Sequence, residues 1–364
     1  MHATTHIAAD NNRFVFAADD PPASEVGAAI NPYYLADETA IMAQLMDIAR
    51  VGEDRAEKIR ETATMLVESV RRNRGKSGGL DAFMSQYDLS SQEGVVLMCL
   101  AEALLRVPDA DTADRLIADK INAGDWEGHR GTSESPFVNA STWGLMLTGR
   151  IVKIDPETLE NPSGFMRKLV TRAGEPVIRG AMRQAMRIMG HQFVMGRTIA
   201  EAMKRSQAGE NAKYRYTFDM LGVAALTEPD SRRYFEAYCE GIGAIGAARP
   251  AGVSIHGAPS ISVKLSALFP RYEYAQRARV LNTLSPMLLE LAVRSKEADI
   301  GITVDAEEMD RLEIALELFE QVYRDPALDG WEGFGLAIQT YHKRALAQTR
   351  WLINMAREVG REIP

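Results

Sequence analysis

The stretch ISVKLSALFPRY, residues 261–272, sets a lysine inside a segment that otherwise reads as a buried strand. Ile261, Val263 and Leu265 alternate with Ser262, Lys264 and Ser266, the two-residue period of a β-strand. A charge is costly to bury without a partner. The polar side of this strand must therefore face something that answers Lys264.

Three other stretches share the texture: YRYTFD (214–219), GITVDAE (301–307) and FGLAIQTY (334–341). With 260–268 they make four strands, and helical stretches follow them at 230–246, 275–297, 309–323 and 343–359. Strand–helix units in series predict a parallel sheet with right-handed crossovers. A doubly wound sheet and a TIM barrel both meet that description. No glycine-rich phosphate loop follows the first strand, which weighs against the dinucleotide fold. The alternation favours the barrel. Each strand has one apolar side and one small or polar side, and the polar sides end in Asp219, Lys264, Asp305 and Gln339. If the apolar sides meet the helices, the polar sides line a barrel interior. Their chemical residues then sit at the C-terminal strand ends, where barrel active sites are built. Asp305 and Asp219 are the candidate counter-charges for Lys264.

Lys264 beside Asp305 admits three uses: a structural ion pair, an imine-forming amine, or a clamp for a substrate carboxylate. An imine lysine needs a lowered pKa, and a neighbouring aspartate raises it. The clamp suits a charged lysine best. Glu307, Glu308 and Asp310 follow Asp305. Glu308 and Asp310 fall at a helix start, where carboxylates favour the positive end of the helix dipole, so they read as capping residues rather than metal ligands.

The rest of the chain narrows the function class. Its 364 residues carry a net charge of −8, 46% hydrophobic and 25% charged residues, a globular composition that argues against a broad phosphate-binding surface. No nucleic-acid partner is expected. The six histidines show no ligand spacing, so no metal is expected. Cys99 and Cys239 lie far apart in apolar stretches and read as free thiols of a reducing compartment. The N-terminus lacks the basic start and apolar core of a signal peptide, and the expected location is cytoplasmic. Residues 1–30, polar and acidic with Pro21-Pro22, read as a flexible N-terminal arm. Residues 31–208 read as a helical domain, with helices over 52–73, after the Ser90-x-x-Glu93 capping box, and from Pro176 onward. Residues 209–364 carry the barrel strands.

Several motifs in order then resemble one family. FVNASTWGLMLTGR (137–150), GEPVIRGAMRQAMRIMGHQFVMG (174–196), YTFDMLG (216–222), SISVKLSAL (260–268), VDAEEMDRLE (304–313) and AIQTYHKR (337–344) are similar to the proline dehydrogenase region of bifunctional proline utilization A. The resemblance implies a barrel that binds FAD, oxidises L-proline to 1-pyrroline-5-carboxylate and passes electrons to membrane quinone, with a peripheral membrane contact and a possible homo-oligomer. It implies that Lys264 pairs with the proline carboxylate and that Asp305 lies beside substrate and flavin. It also implies that Ala306 lies along the cofactor and that Gln339 hydrogen-bonds the isoalloxazine.

Three departures stand out. Val223 replaces the family's usual glutamate, and Phe269 replaces its usual histidine. The chain also reaches Pro364 where a fifth strand is expected. The expectation is thus a helical region followed by the first four βα units of a TIM-type (β/α)8 barrel, with open sheet edges and polar residues facing water. Such a chain is expected to hold half of the active site and to be inactive alone; a non-enzymatic remnant or interaction protein of the same family and, more distantly, a lysine-imine lyase are the rival readings.

Overall fold

The computed structural model describes residues 24–73, 112, 194–222 and 224–364. Val223, Cys99, the Ser90–Glu93 capping box and the helix expected from Pro176 lie outside the described residues. The chain divides into two compact units, one of Met1–Arg50 with Ser206–Pro364 and one of Val51–Arg205. In the second unit the helix expected over 52–73 is observed.

In chain order the helices begin with α1 (Glu25–Ile30), α2 (Glu38–Ala49), α3 (Glu53–Asn73) and α4 (Ile199–Ser206). Alternating strands and helices follow: β1 (Thr217–Asp219), α5 (Glu228–Ala247), β2 (Ser260–Lys264), α6 (Leu265–Leu268) and α7 (Arg277–Glu297). Then come β3 (Ile302–Asp305), α8 (Leu312–Tyr323), β4 (Phe334–Ala337) and α9 (Ala345–Val359).

The four strands form one parallel sheet in the order β1-β2-β3-β4. Ile261, Ile302 and Phe334 stand in register, as do Val263, Val304 and Leu336. All six are buried, on the side where Phe319 of α8 stacks on Phe334 at 4.8 Å between ring centroids. The other face carries Asp219, Ser262, Thr303 and Gly335 in one register layer and Lys264, Asp305 and Ala337 in the next. The two-residue alternation thus sorts apolar side chains to the helices and polar ones to the opposite face.

Local chemistry explains the element boundaries. Thr227 and Asp230 form a reciprocal capping box that starts α5, and Gly360 closes α9 in the left-handed region at φ 69°. Strand β2 ends at Lys264, earlier than the expected 260–268. A helical turn, α6, buries Leu265, Ala267 and Leu268 together, and its carbonyls at Ser266 and Leu268 accept hydrogen bonds from the Ala225 amide and the Ser231 hydroxyl. The strand expected from 214 begins only at Thr217, because residues 209–213 form a one-turn helix whose Asn211 carbonyl accepts from the Tyr216 hydroxyl.

Residues 25–30, expected within a flexible arm, instead form α1. Val26 and Ile30 are buried, and α1 contacts α8 and α9, so a short apolar face finds a partner late in the chain. The expected open edge at β4 is also changed: the Leu336 amide donates to the Pro364 carbonyl at 3.2 Å.

Candidate active site

Lys264 stands at the C-terminal end of β2 with its Nζ 2.6 Å from Asp305 Oδ2, 3.2 Å from Asp219 Oδ2 and 3.5 Å from Glu307 Oε2. The residue is 9% exposed, so it does not face water as expected for an open sheet. Burial pulls the pKa of Lys264 down, but the hydrogen bond to Asp305 and the charge of Asp219 outweigh it and hold the pKa above the ordinary lysine range. The amine is therefore fixed as an ammonium. Its backbone amide donates to the Tyr238 hydroxyl at 3.2 Å, and burial pushes the Tyr238 phenol up to about 12.

The sheet itself sets this geometry. Asp305 is the register partner of Lys264 on β3, and Asp219 ends β1 opposite Ser262, one residue-pair away. Parallel neighbours lie roughly 4.8 Å apart, so a lysine stem reaches carboxylates on both adjoining strands. Three carboxylates against one ammonium leave the cluster with surplus negative charge. The arrangement can bind a zwitterion, whose carboxylate approaches Lys264 while its amine approaches the aspartates.

The sequence brought Lys264, Asp305 and Asp219 forward, and the structure gathers all three. Ala306 follows β3 directly and is 3% exposed. Gln339 lies just beyond β4 and is half-buried. Glu307 and Tyr238 were missed as members of the cluster. Glu307 is offset by two from Asp305, so in principle the strand period signals it. Tyr238 lies inside α5, and nothing in its local sequence marks its contact with β2. Phe269, at the second departure, is buried, with the Arg279 guanidinium 5.6 Å from its ring centroid. Among the described residues, His256, Glu332 and Glu362 also bring possible ligand atoms within 4.8 Å of one another, all exposed and near the N-terminal strand ends.

Comparison with known proteins agrees with this architecture. A family model described as proline dehydrogenase matches residues 202–364. One described as the proline utilization A proline dehydrogenase N-terminal domain matches 24–71. A third, the DNA-binding domain of proline dehydrogenase, matches 79–193, a range in which Thr112 is the one described residue. The chain is 44% identical over 351 residues to the bifunctional protein PutA of Salmonella typhimurium and to that of Escherichia coli, covering 96% of the chain. It spans about a quarter of the length of those relatives, 26% in each case. A crystal structure of Bradyrhizobium japonicum proline utilization A, 42% identical, superposes over 94% of this chain and 33% of its own, with a TM-score of 0.63. Taken together, these matches make the chain similar over most of its length to the proline dehydrogenase region of proline utilization A.

Proposed function

We propose that this chain supplies a substrate-binding wall for the oxidation of L-proline to 1-pyrroline-5-carboxylate, with FAD as the resident cofactor and quinone as the final electron acceptor. The observation that carries the reading is the ammonium of Lys264 held between Asp305 and Asp219 at the strand ends. Proline is a zwitterion, and a cluster of one fixed cation and several carboxylates complements both of its charges.

The residues around the cluster fit a flavin by their chemistry. Gln339, half-buried beyond β4, offers both an amide donor and a carbonyl acceptor to a heteroaromatic ring edge. Ala306, the residue after β3, presents only a methyl group. Bound FAD would supply the two-electron acceptor that amino-acid side chains lack. Lys264 orients the substrate carboxylate. Asp305 and Asp219 face the ring nitrogen, which must lose a proton as the C=N bond forms. The imine-lyase alternative requires a neutral lysine, and the raised pKa of Lys264 works against it. Quinone reduction would call for a peripheral membrane contact; among the described residues no helix is long and apolar enough to cross a membrane.

The test is L-proline-dependent reduction of a quinone analogue by the FAD-supplemented protein. Turnover with L-proline, and none with pyrrolidine or cyclopentanecarboxylate, supports the zwitterion reading. Bound flavin with no response to L-proline contradicts it.

A further inference from the structure

The N-terminal segment of the barrel unit touches both loops that carry the candidate site. Glu313 opens α8, shortly after the loop bearing Ala306 and Glu307, and is only 7% exposed. Its Oε1 accepts from the Ser24 hydroxyl at 2.7 Å and its Oε2 from the Asn31 amide at 2.6 Å. On the neighbouring loop, past Gln339, the Lys343 ammonium donates to the Ala36 carbonyl at 2.7 Å. Arg344 then places its guanidinium 4.3 Å from the centroid of the Tyr34 ring and donates to the Met309 carbonyl. One side chain thereby links the loop after β4, the loop after β3 and the N-terminal segment.

Arg344 is an expensive way to fill that space. It is 4% exposed, its Nε has no hydrogen-bond partner, and no carboxylate forms an ion pair with it among the described residues. Burial lowers its pKa from the ordinary arginine value. An apolar side chain of similar length would fill the site without that desolvation cost. What the guanidinium adds is a planar cation that stacks on an aromatic face and fixes a carbonyl at the same time.

We propose that Tyr34 and Arg344 are positioning residues: the segment around Tyr34 holds the loops after β3 and β4 together and so fixes Ala306 and Gln339 for the flavin. The inference rests on the flavin reading of the site above. Tyr34 is the residue to vary, because it is about half exposed (49%) and its loss leaves the core intact. Amide hydrogen exchange and FAD affinity are compared in the wild-type protein, Tyr34→Phe and Tyr34→Ala. In Tyr34→Ala the amides of Arg311, Arg344 and Ala345 should exchange faster and FAD should dissociate more readily, each by roughly three- to thirtyfold. Amides of α7 should not change. Tyr34→Phe keeps the aromatic face and should match the wild type in both measurements. Unchanged exchange in Tyr34→Ala overturns the clamp. Faster exchange with unchanged FAD affinity overturns the positioning role. A wild-type protein that binds no FAD fails the flavin reading instead, and the exchange comparison then decides the clamp alone.

Discussion

Lys264 and Asp305 are register partners across β2 and β3, and their side chains meet at 2.6 Å. The pair is thus placed by sheet hydrogen bonds rather than by a loop, which fixes the ammonium at the strand ends. Removing the cation leaves Asp305, Asp219 and Glu307 facing one another. Lys264→Met should therefore destabilise the protein by about 1–3 kcal/mol, less than for a fully buried pair because Asp219 and Glu307 are partly exposed. Urea unfolding checks this. A change within about 0.5 kcal/mol, the scale of ordinary surface substitutions, would mean that the cluster carries no such strain.

Alkaline pH should weaken the fold. The Tyr238 phenol titrates at about 12 in the folded protein against 10.0 for the free side chain, so the native state holds this proton more tightly. Stability from that difference is fully present below pH 10 and is lost as pH rises through about 12. Lys264, whose pKa is also raised, contributes with the same sign. The total attributable to Tyr238 is of order 3 kcal/mol. Burial also raises Tyr272, so phenolate absorbance should show more than one late-titrating tyrosine, with one fewer in Tyr238→Phe. A normal titration at every tyrosine would refute the buried contact.

The docking of α1 makes a steric prediction. A Cβ on Gly27 would overlap Glu313 Oε1 and sit 2.9 Å from the Ser24 hydroxyl. Glu313 cannot swing aside freely, because Ser24 and Asn31 both hold its carboxylate. Gly27→Ala should cost about 1–3 kcal/mol. In a Glu313→Ala background the same substitution should cost much less, and a double-mutant cycle of thermal unfolding measures the difference. Additive effects would place the constraint elsewhere.

The Thr227–Asp230 capping box should be worth about 1 kcal/mol to α5. Thr227→Ala, followed by chemical denaturation, should lower the midpoint accordingly. Because α5 supplies Tyr238, the amide of Lys264 should also lose protection in hydrogen exchange. Retained protection would show that the contact does not depend on the start of the helix.

What was legible in the sequence followed from periodicity. Ile261, Val263, Ile302, Val304 and Leu336 alternate with small or polar residues, and the same alternation put Asp219, Lys264 and Asp305 on one face. Hydrogen-bonded register does the rest. Periodicity failed where a competing element used the same residues. Leu265 and Leu268 fit a strand by composition, yet their three-residue spacing also fits a helical turn, and burial of both chose the turn. Contacts distant in sequence left no local mark. Val26 and Ile30 look like part of a polar arm until α8 and α9 are in place, and Arg344 reads as one basic residue among several until Tyr34 and Met309 meet it.

The central claim is that the Lys264 ammonium holds the substrate carboxylate. Equilibrium dialysis of radiolabelled L-proline against the wild type and Lys264→Met, both loaded with FAD and kept chemically reduced under anaerobic conditions so that bound L-proline is not oxidised, tests it most directly. A lost charge-assisted contact corresponds to roughly 1.5–3 kcal/mol, so the variant should bind L-proline about 10- to 150-fold more weakly while its flavin absorbance is unchanged. Equal affinity in the two proteins, with flavin equally bound, would contradict the assignment of Lys264.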